Sequence, residues 1–166
     1  MTREADFIAA LQGIATDPAA RGLMDDAAVL PFVGSIVLTH DMMVEGVHYL
    51  PDDTPADVAW KLLAVNLSDL AAKGAEPLGV LLGYAMTDDA AWDAAFAVGL
   101  GEAAAMLGVP VLGGDTVRMP QGAPRALGLT ALGRAPVGGA PARSGARPGD
   151  LLHVSGTIGD AGAGLA

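Results

Sequence analysis

Leu62-Leu63-Ala64-Val65-Asn66-Leu67-Ser68-Asp69-Leu70-Ala71-Ala72 is an apolar helical run broken by three polar residues. Asn66, Asp69 and Lys73 stand three and four residues apart, which places them on one helical face. An ionised carboxylate in an apolar setting needs a cation or several hydrogen-bond donors, so Asp69 calls for a partner. Three other acidic positions offer surroundings for it: Asp25-Asp26, Asp41 after an apolar strand, and Asp115 after Gly113-Gly114. Converging carboxylates repel one another unless a cation sits between them. A hard divalent metal takes oxygen ligands and pairs naturally with phosphates. The pattern therefore predicts one pocket shared by Asp26, Asp41, Asp69 and Asp115, built for metal and phosphate.

Working outward, Thr54-Pro55-Ala56-Asp57 reads as a helix start, with Thr54 as N-cap, Pro55 in the first turn and Asp57 against the helix dipole. Gly74 is the expected left-handed stop. Residues 77–86 read as a core strand, residues 88–107 as a second long helix, and residues 111–112 as a strand running into Gly113-Gly114-Asp115-Thr116. Residues 125–135 give a further strand. On the N-terminal side, residues 4–15 place Phe7, Ile8, Leu11 and Ile14 on one stripe of a helix. Residues 27–30 and 35–39 read as two strands of a hairpin, the second delivering His40 and Asp41 at its end. Residues 136–148 are rich in Gly and Pro and read as a connection. Residues 151–155 read as a strand turning at Gly156 into a helix, inside which the sequence ends; that predicts a continuation. Strands and helices alternate, so the fold class is α/β (α+β), a mixed β-sheet packed against helices. The expected domains are 1–135, a connecting loop 136–148, and the start of a second domain at 149–166.

The 166 residues are 52% hydrophobic and 17% charged, enough for a substantial core and too apolar for disorder. Much of the apolar content is alanine, which implies close backbone approach. A net charge of −10 argues against a nucleic-acid surface. The absence of cysteine removes disulfides and thiolate ligation and suits a cytoplasmic location. No signal peptide follows Met1, and no apolar run of membrane-spanning length is free of charge or glycine, so neither membrane nor nucleic acid is an expected partner. Met42, Met43, Trp60 and Trp92 are assigned to the core.

Each motif taken singly has two readings. Gly113-Gly114-Asp115-Thr116 is either a ligand-approaching glycine turn or a plain turn with a solvated aspartate. His48 is a ligand contact or a surface histidine. Arg118, Arg143 and Arg147 are phosphate-neutralising groups or solvated ones. The glycines of residues 156–164 are an anion cradle or a simple strand-to-helix turn.

In combination they carry more. Asp26-Ala27-Ala28-Val29, Thr39-His40-Asp41, Val44-Glu45-Gly46-Val47-His48-Tyr49, Asn66-Leu67-Ser68-Asp69-Leu70-Ala71-Ala72, Gly113-Gly114-Asp115-Thr116, Arg143-Ser144-Gly145-Ala146, Gly149-Asp150 and Val154-Ser155-Gly156 occur in this order. The set resembles the N-terminal part of the thiamine-monophosphate kinase family, in the aminoimidazole ribonucleotide synthetase superfamily. That resemblance implies Mg²⁺-dependent transfer of a phosphoryl group from ATP to thiamine phosphate, by a homodimer whose sheets join. It implies metal ligands at Asp26, Thr39, Asp41, Asp69 and Asp115, ATP contacts at Gly114, Asp115 and Arg143, and a substrate contact at His48. No residue is expected to act as a covalent nucleophile. Met24 stands where the family usually has glycine, and His40 where it usually has Ser or Thr. Two other functions compete: a different ATP-dependent synthetase of the superfamily, and a non-catalytic dimerisation or nucleotide-binding module.

Overall fold

The computed structural model describes residues 3–154 and 156–163. Helix α2 (Pro55–Ala72) lies across the sheet and organises the core. Its start is capped as the sequence predicts, with the Thr54 hydroxyl accepting from Asp57 N. At its end Gly74 takes φ 60°, and the amides of Gly74 and Ala75 return to Ala71 and Leu70. Leu62, Leu63 and Leu70 are fully buried against the strands. Helix α3 (Ala90–Leu107) packs on α2, and α1 (Arg3–Ile14) packs on α3. The crossing of α2 and α3 depends on small residues, since a Cβ added at Gly99 would sit 2.6 Å from Ala56 Cα. By length and composition α3 is apolar enough to cross a membrane; here Phe96, Ala97 and Leu100 bury one face, and Asp93 within it is hydrogen-bonded.

Four strands form one mixed sheet, β1 (Ile36–Val44), β2 (Glu76–Met86), β3 (Val111–Arg118) and β4 (Ala126–Arg134), in the order β1-β4-β2-β3. Only β2 and β3 run parallel, joined by the α3 crossover. The helices cover one face. On β4, Leu127, Leu129 and Ala131 point into that covered face and are fully buried. On β1 alternate residues, Ile36, Leu38 and Met42, are exposed on the other face.

The expected mixed α+β architecture is present, and several local expectations are corrected. Residues 27–30 form no strand, and their recorded backbone bond is Val29 N to Ala19 O. The hairpin fails because β1 takes β4 as its partner instead, along Ile36–Val44. Consequently Asp41 lies within the strand rather than at its end. Gly113-Gly114-Asp115-Thr116 is likewise strand β3 and not a turn. Residues 151–154 pair with nothing among the described residues, and Leu151 and Leu152 are exposed; Ser155 lies outside the described residues. A short helix α4 (Asp160–Ala163) follows. Met42 and Trp60, assigned to the core, are 56% and 39% exposed. Met42 falls on the uncovered sheet face, and Trp60 on the outer side of α2.

Candidate functional site

Strand alternation and helix periodicity bring the first group together. Thr39, Asp41 and Met43 share the helix-facing side of β1, with Met43 buried. Asn66 and Asp69 of α2 face them. The Thr39 hydroxyl donates to Asp69 Oδ2 at 2.8 Å. Asn66 accepts the Asp41 amide at 3.0 Å and donates to Leu62 O at 2.9 Å. The polar residue removed from solvent is thus Asn66, fully buried with a hydrogen bond at each side-chain polar atom, while Asp69 is exposed beside it. Asn66 fixes the backbone under Asp41, and Thr39 orients Asp69. Lys73 leaves this face and bonds Pro141 O at 3.0 Å.

Asp26 and Asp115 belong to a second group. A cleft of about 710 Å³ lies beside β3, lined by Asp25, Asp26, His40, Asp115 and Thr130 among others. Asp115 pairs with Gly83, Gly83 with Gly128, and Gly128 with Met42, so Asp115 stands on the face that Met42 and His40 occupy. Asp41, one residue from Met42, points the opposite way. A single chain therefore divides the four carboxylates between two sides of the sheet, and the expected common pocket is not formed within it. Among the described residues no group of three or more acidic or histidine side chains is close enough to hold a metal alone.

The segment that brings Leu23, Asp25 and Asp26 to the cleft has an unusual backbone. Arg21, Gly22 and Leu23 all take left-handed backbone (φ 51°, 64° and 53°) just before the acidic pair. Arg21 pairs with Asp25, and that bond, aided by the Asp26 amide, holds the Asp25 carboxyl below the usual carboxylate range. Met24, where the family usually has glycine, sits at φ −109°, which any residue adopts. This departure is therefore accommodated without backbone strain. His40 places Nδ1 2.9 Å from the Thr130 hydroxyl across the strand pair. Gly114 is indispensable to the β2–β3 contact, because a Cβ there would fall 1.9 Å from Leu82 O.

The remaining candidates lie apart. His48 is exposed in the loop after β1, its Nδ1 accepting from Val44 N at 3.0 Å. Arg143 lies in an exposed 3-10 turn, Arg143–Gly145. Arg118 reaches Asp88 at 3.6 Å, and the Arg147 amide bonds Asp150. Sequence reasoning missed Arg125, which is buried over the Trp92 ring and paired to Glu45. Its signal was faint: a cation opening a strand just after a proline.

A mixed sheet in the order β1-β4-β2-β3 with helices on one face defines a domain of the α+β class. Residues 24–135 match the family model "AIR synthase related protein, N-terminal domain". The chain belongs to this family. It is 50% identical over 153 residues to the thiamine-monophosphate kinase of Caulobacter vibrioides, covering 90% of this chain and 43% of that relative. It superposes on the thiamine monophosphate kinase of Aquifex aeolicus with a TM-score of 0.71 and 32% identity, over 78% of this chain and 43% of that one. It also superposes on AaThiL complexed with AMPPCP and TMP, with a TM-score of 0.55 and 27% identity, over 59% of this chain and 31% of that one. The chain spans less than half the length of each of these proteins.

Proposed function

We propose that the protein carrying this chain is a thiamine-monophosphate kinase, transferring a phosphoryl group from ATP to thiamine phosphate to give thiamine diphosphate and ADP. The observation that carries the reading is the 50% identity to a kinase of that name across 90% of the chain. In this reading Asp26, Thr39, Asp41, Asp69 and Asp115 hold Mg²⁺, Gly114, Asp115 and Arg143 meet ATP, and His48 meets the substrate. The donor set suits that ion: hydroxyl and carboxylate oxygens, few per site, leave positions for phosphate oxygens and water. Bound Mg²⁺ would neutralise the charge developing on the transferred phosphoryl group. The chain's own contribution is placement. Asn66 and Thr39 fix Asp41 and Asp69, and the Gly114 backbone permits close approach at β3.

Residues 1–135 would form the ATP- and metal-binding domain, 136–148 the connection and 149–166 the start of the next domain. Exposed Leu151, Leu152, Val154 and Ile158 support that, as apolar groups with no place in the core. The uncovered sheet face with Ile36, Leu38 and Met42 supports a homodimer, because an apolar face beside an edge strand invites a second sheet. Sedimentation is expected to give a dimer at micromolar concentration; a folded monomer would remove this part. The lack of cysteine in these 166 residues and the use of ATP suit the cytoplasm.

The kinase reading is tested by incubating the native gene product with ATP, Mg²⁺ and thiamine phosphate. Thiamine diphosphate and ADP should form in equal amounts. Asp69→Asn should lower kcat/KM by roughly a hundredfold or more, through lost charge stabilisation. ATP turnover that ignores thiamine phosphate and requires another small acceptor would replace this reading with that of a different synthetase.

A further inference from the structure

The loop of residues 44–49 exposes Gly46, Val47 and His48 yet is heavily pinned. Glu45 N donates to Arg125 O at 3.0 Å and Gly46 N to Tyr49 O at 2.8 Å. Val47 N and His48 N both return to Val44 O, at 3.1 and 2.9 Å. The Lys61 ammonium donates to the His48 carbonyl from α2. A backbone amide only donates, so the bond from Val44 N makes His48 Nδ1 an acceptor. A neutral imidazole in that state carries its proton on Nε2. One ring nitrogen is committed to the fold, and the other is left as an outward N–H donor.

Arg125 lies under this loop, its side chain 8% exposed. Its guanidinium stacks 3.9 Å above the Trp92 ring and bonds Glu45 Oε2 at 2.9 Å, with Asp89 at 3.9 Å. Residue 45 is thus gripped twice, by the Arg125 carbonyl through its amide and by the guanidinium through its carboxylate. Trp92 and Asp89 belong to the start of α3, so the grip ties the loop to the core. A planar fork stacked on an aromatic ring is a geometry that lysine does not reproduce.

We infer that Arg125, acting through Glu45, is a positioning residue that fixes the 44–49 loop so that His48 offers Nε2–H to an oxygen of the bound substrate. The identity of that substrate as thiamine phosphate rests on the kinase reading above. Ring ¹⁵N spectra of His48 in the native protein, assigned by loss of the signal in His48→Gln, report the tautomer directly. Wild type should show the Nε2–H form. Glu45→Ala should mix the two tautomers and raise KM for thiamine phosphate roughly tenfold, with KM for ATP held within about twofold. Glu45→Gln, whose amide oxygen still accepts from the guanidinium, should restore both. If Glu45→Ala does not fold, Arg125→Lys gives the same two readouts with the charge retained. A folded variant with an unchanged tautomer and unchanged KM overturns the inference, as does an equal rise in both KM values. A wild-type protein that ignores thiamine phosphate removes the kinase reading, while the tautomer spectra still decide the clamp.

Discussion

Replacing Asp93 by alanine is expected to cost about 3–4 kcal/mol of stability, read as a lower urea midpoint at unchanged slope. Asp93 is 2% exposed in the first turn of α3. Its Oδ1 accepts from the Tyr84 hydroxyl at 2.8 Å and its Oδ2 pairs with Arg3 at 2.9 Å. One carboxylate therefore joins α1, β2 and α3, where the rings of Phe7, Tyr84 and Phe96 also pack at tilted angles with centroids 4.3 and 5.1 Å apart. Without it the Tyr84 hydroxyl is buried and unpaired, a loss of about 1–3 kcal/mol. Arg3 is partly exposed and retains Asp88 at 3.3 Å, which keeps the total from rising further. Adding Tyr84→Phe to Asp93→Ala should return about 1 kcal/mol or more, because the orphaned hydroxyl is gone. A loss below about 1 kcal/mol in the single variant would show that the network is replaced by water.

Alkaline pH should unfold this protein steeply. Both tyrosines of the chain are buried, Tyr49 at 5% and Tyr84 at 2% exposure. Burial, with Glu45 nearby, pushes the Tyr49 phenol up to about 12. Burial and the bond to Asp93 push Tyr84 higher still. A phenol whose pKa is raised by folding favours the folded state fully below its unfolded value of about 10. That contribution is lost as pH rises from there through the folded value. While both phenols remain protonated only in the folded state, each pH unit above about 10 removes roughly 1.4 kcal/mol per tyrosine, or about 2.8 kcal/mol in all. Urea midpoints should therefore be flat to about pH 9.5 and fall sharply beyond it. Tyrosinate absorbance should appear together with unfolding. Ionisation of both tyrosines near pH 10 in a protein still folded by circular dichroism would contradict the burial argument.

Helices were readable because their signals are local. Thr54, Pro55 and Gly74 delimit α2, and Gly108 closes α3 in the left-handed conformation. Strand partners were not readable, since β1 pairs with a segment that no hairpin turn connects to it. That non-local choice also decides the site. His40 and Asp41 are neighbours in sequence and point to opposite faces, so pairing parity separates Asp115 from Asp41 where a motif list places them together. The donor types and their order were legible; which face each occupies was not. Asn66 shows the same limit, because a buried amide that serves a backbone N–H reads in sequence like one more ligand.

The pairing of β1 with β4 has a consequence for biosynthesis. About 80 residues separate the end of one strand from the start of the other, so at cellular elongation rates β1 waits on the order of 4–16 seconds for its partner. During that interval α2, β2, α3 and β3 are synthesised and can begin to assemble by shorter-range contacts, while β1 is an unclaimed ribbon whose Met43, buried in the finished sheet, has no place to pack. Closure of β1 onto β4 is then the late, non-local step of folding. The nascent chain is most open to misassociation between the synthesis of residues 44 and 134, while β1 has no partner strand.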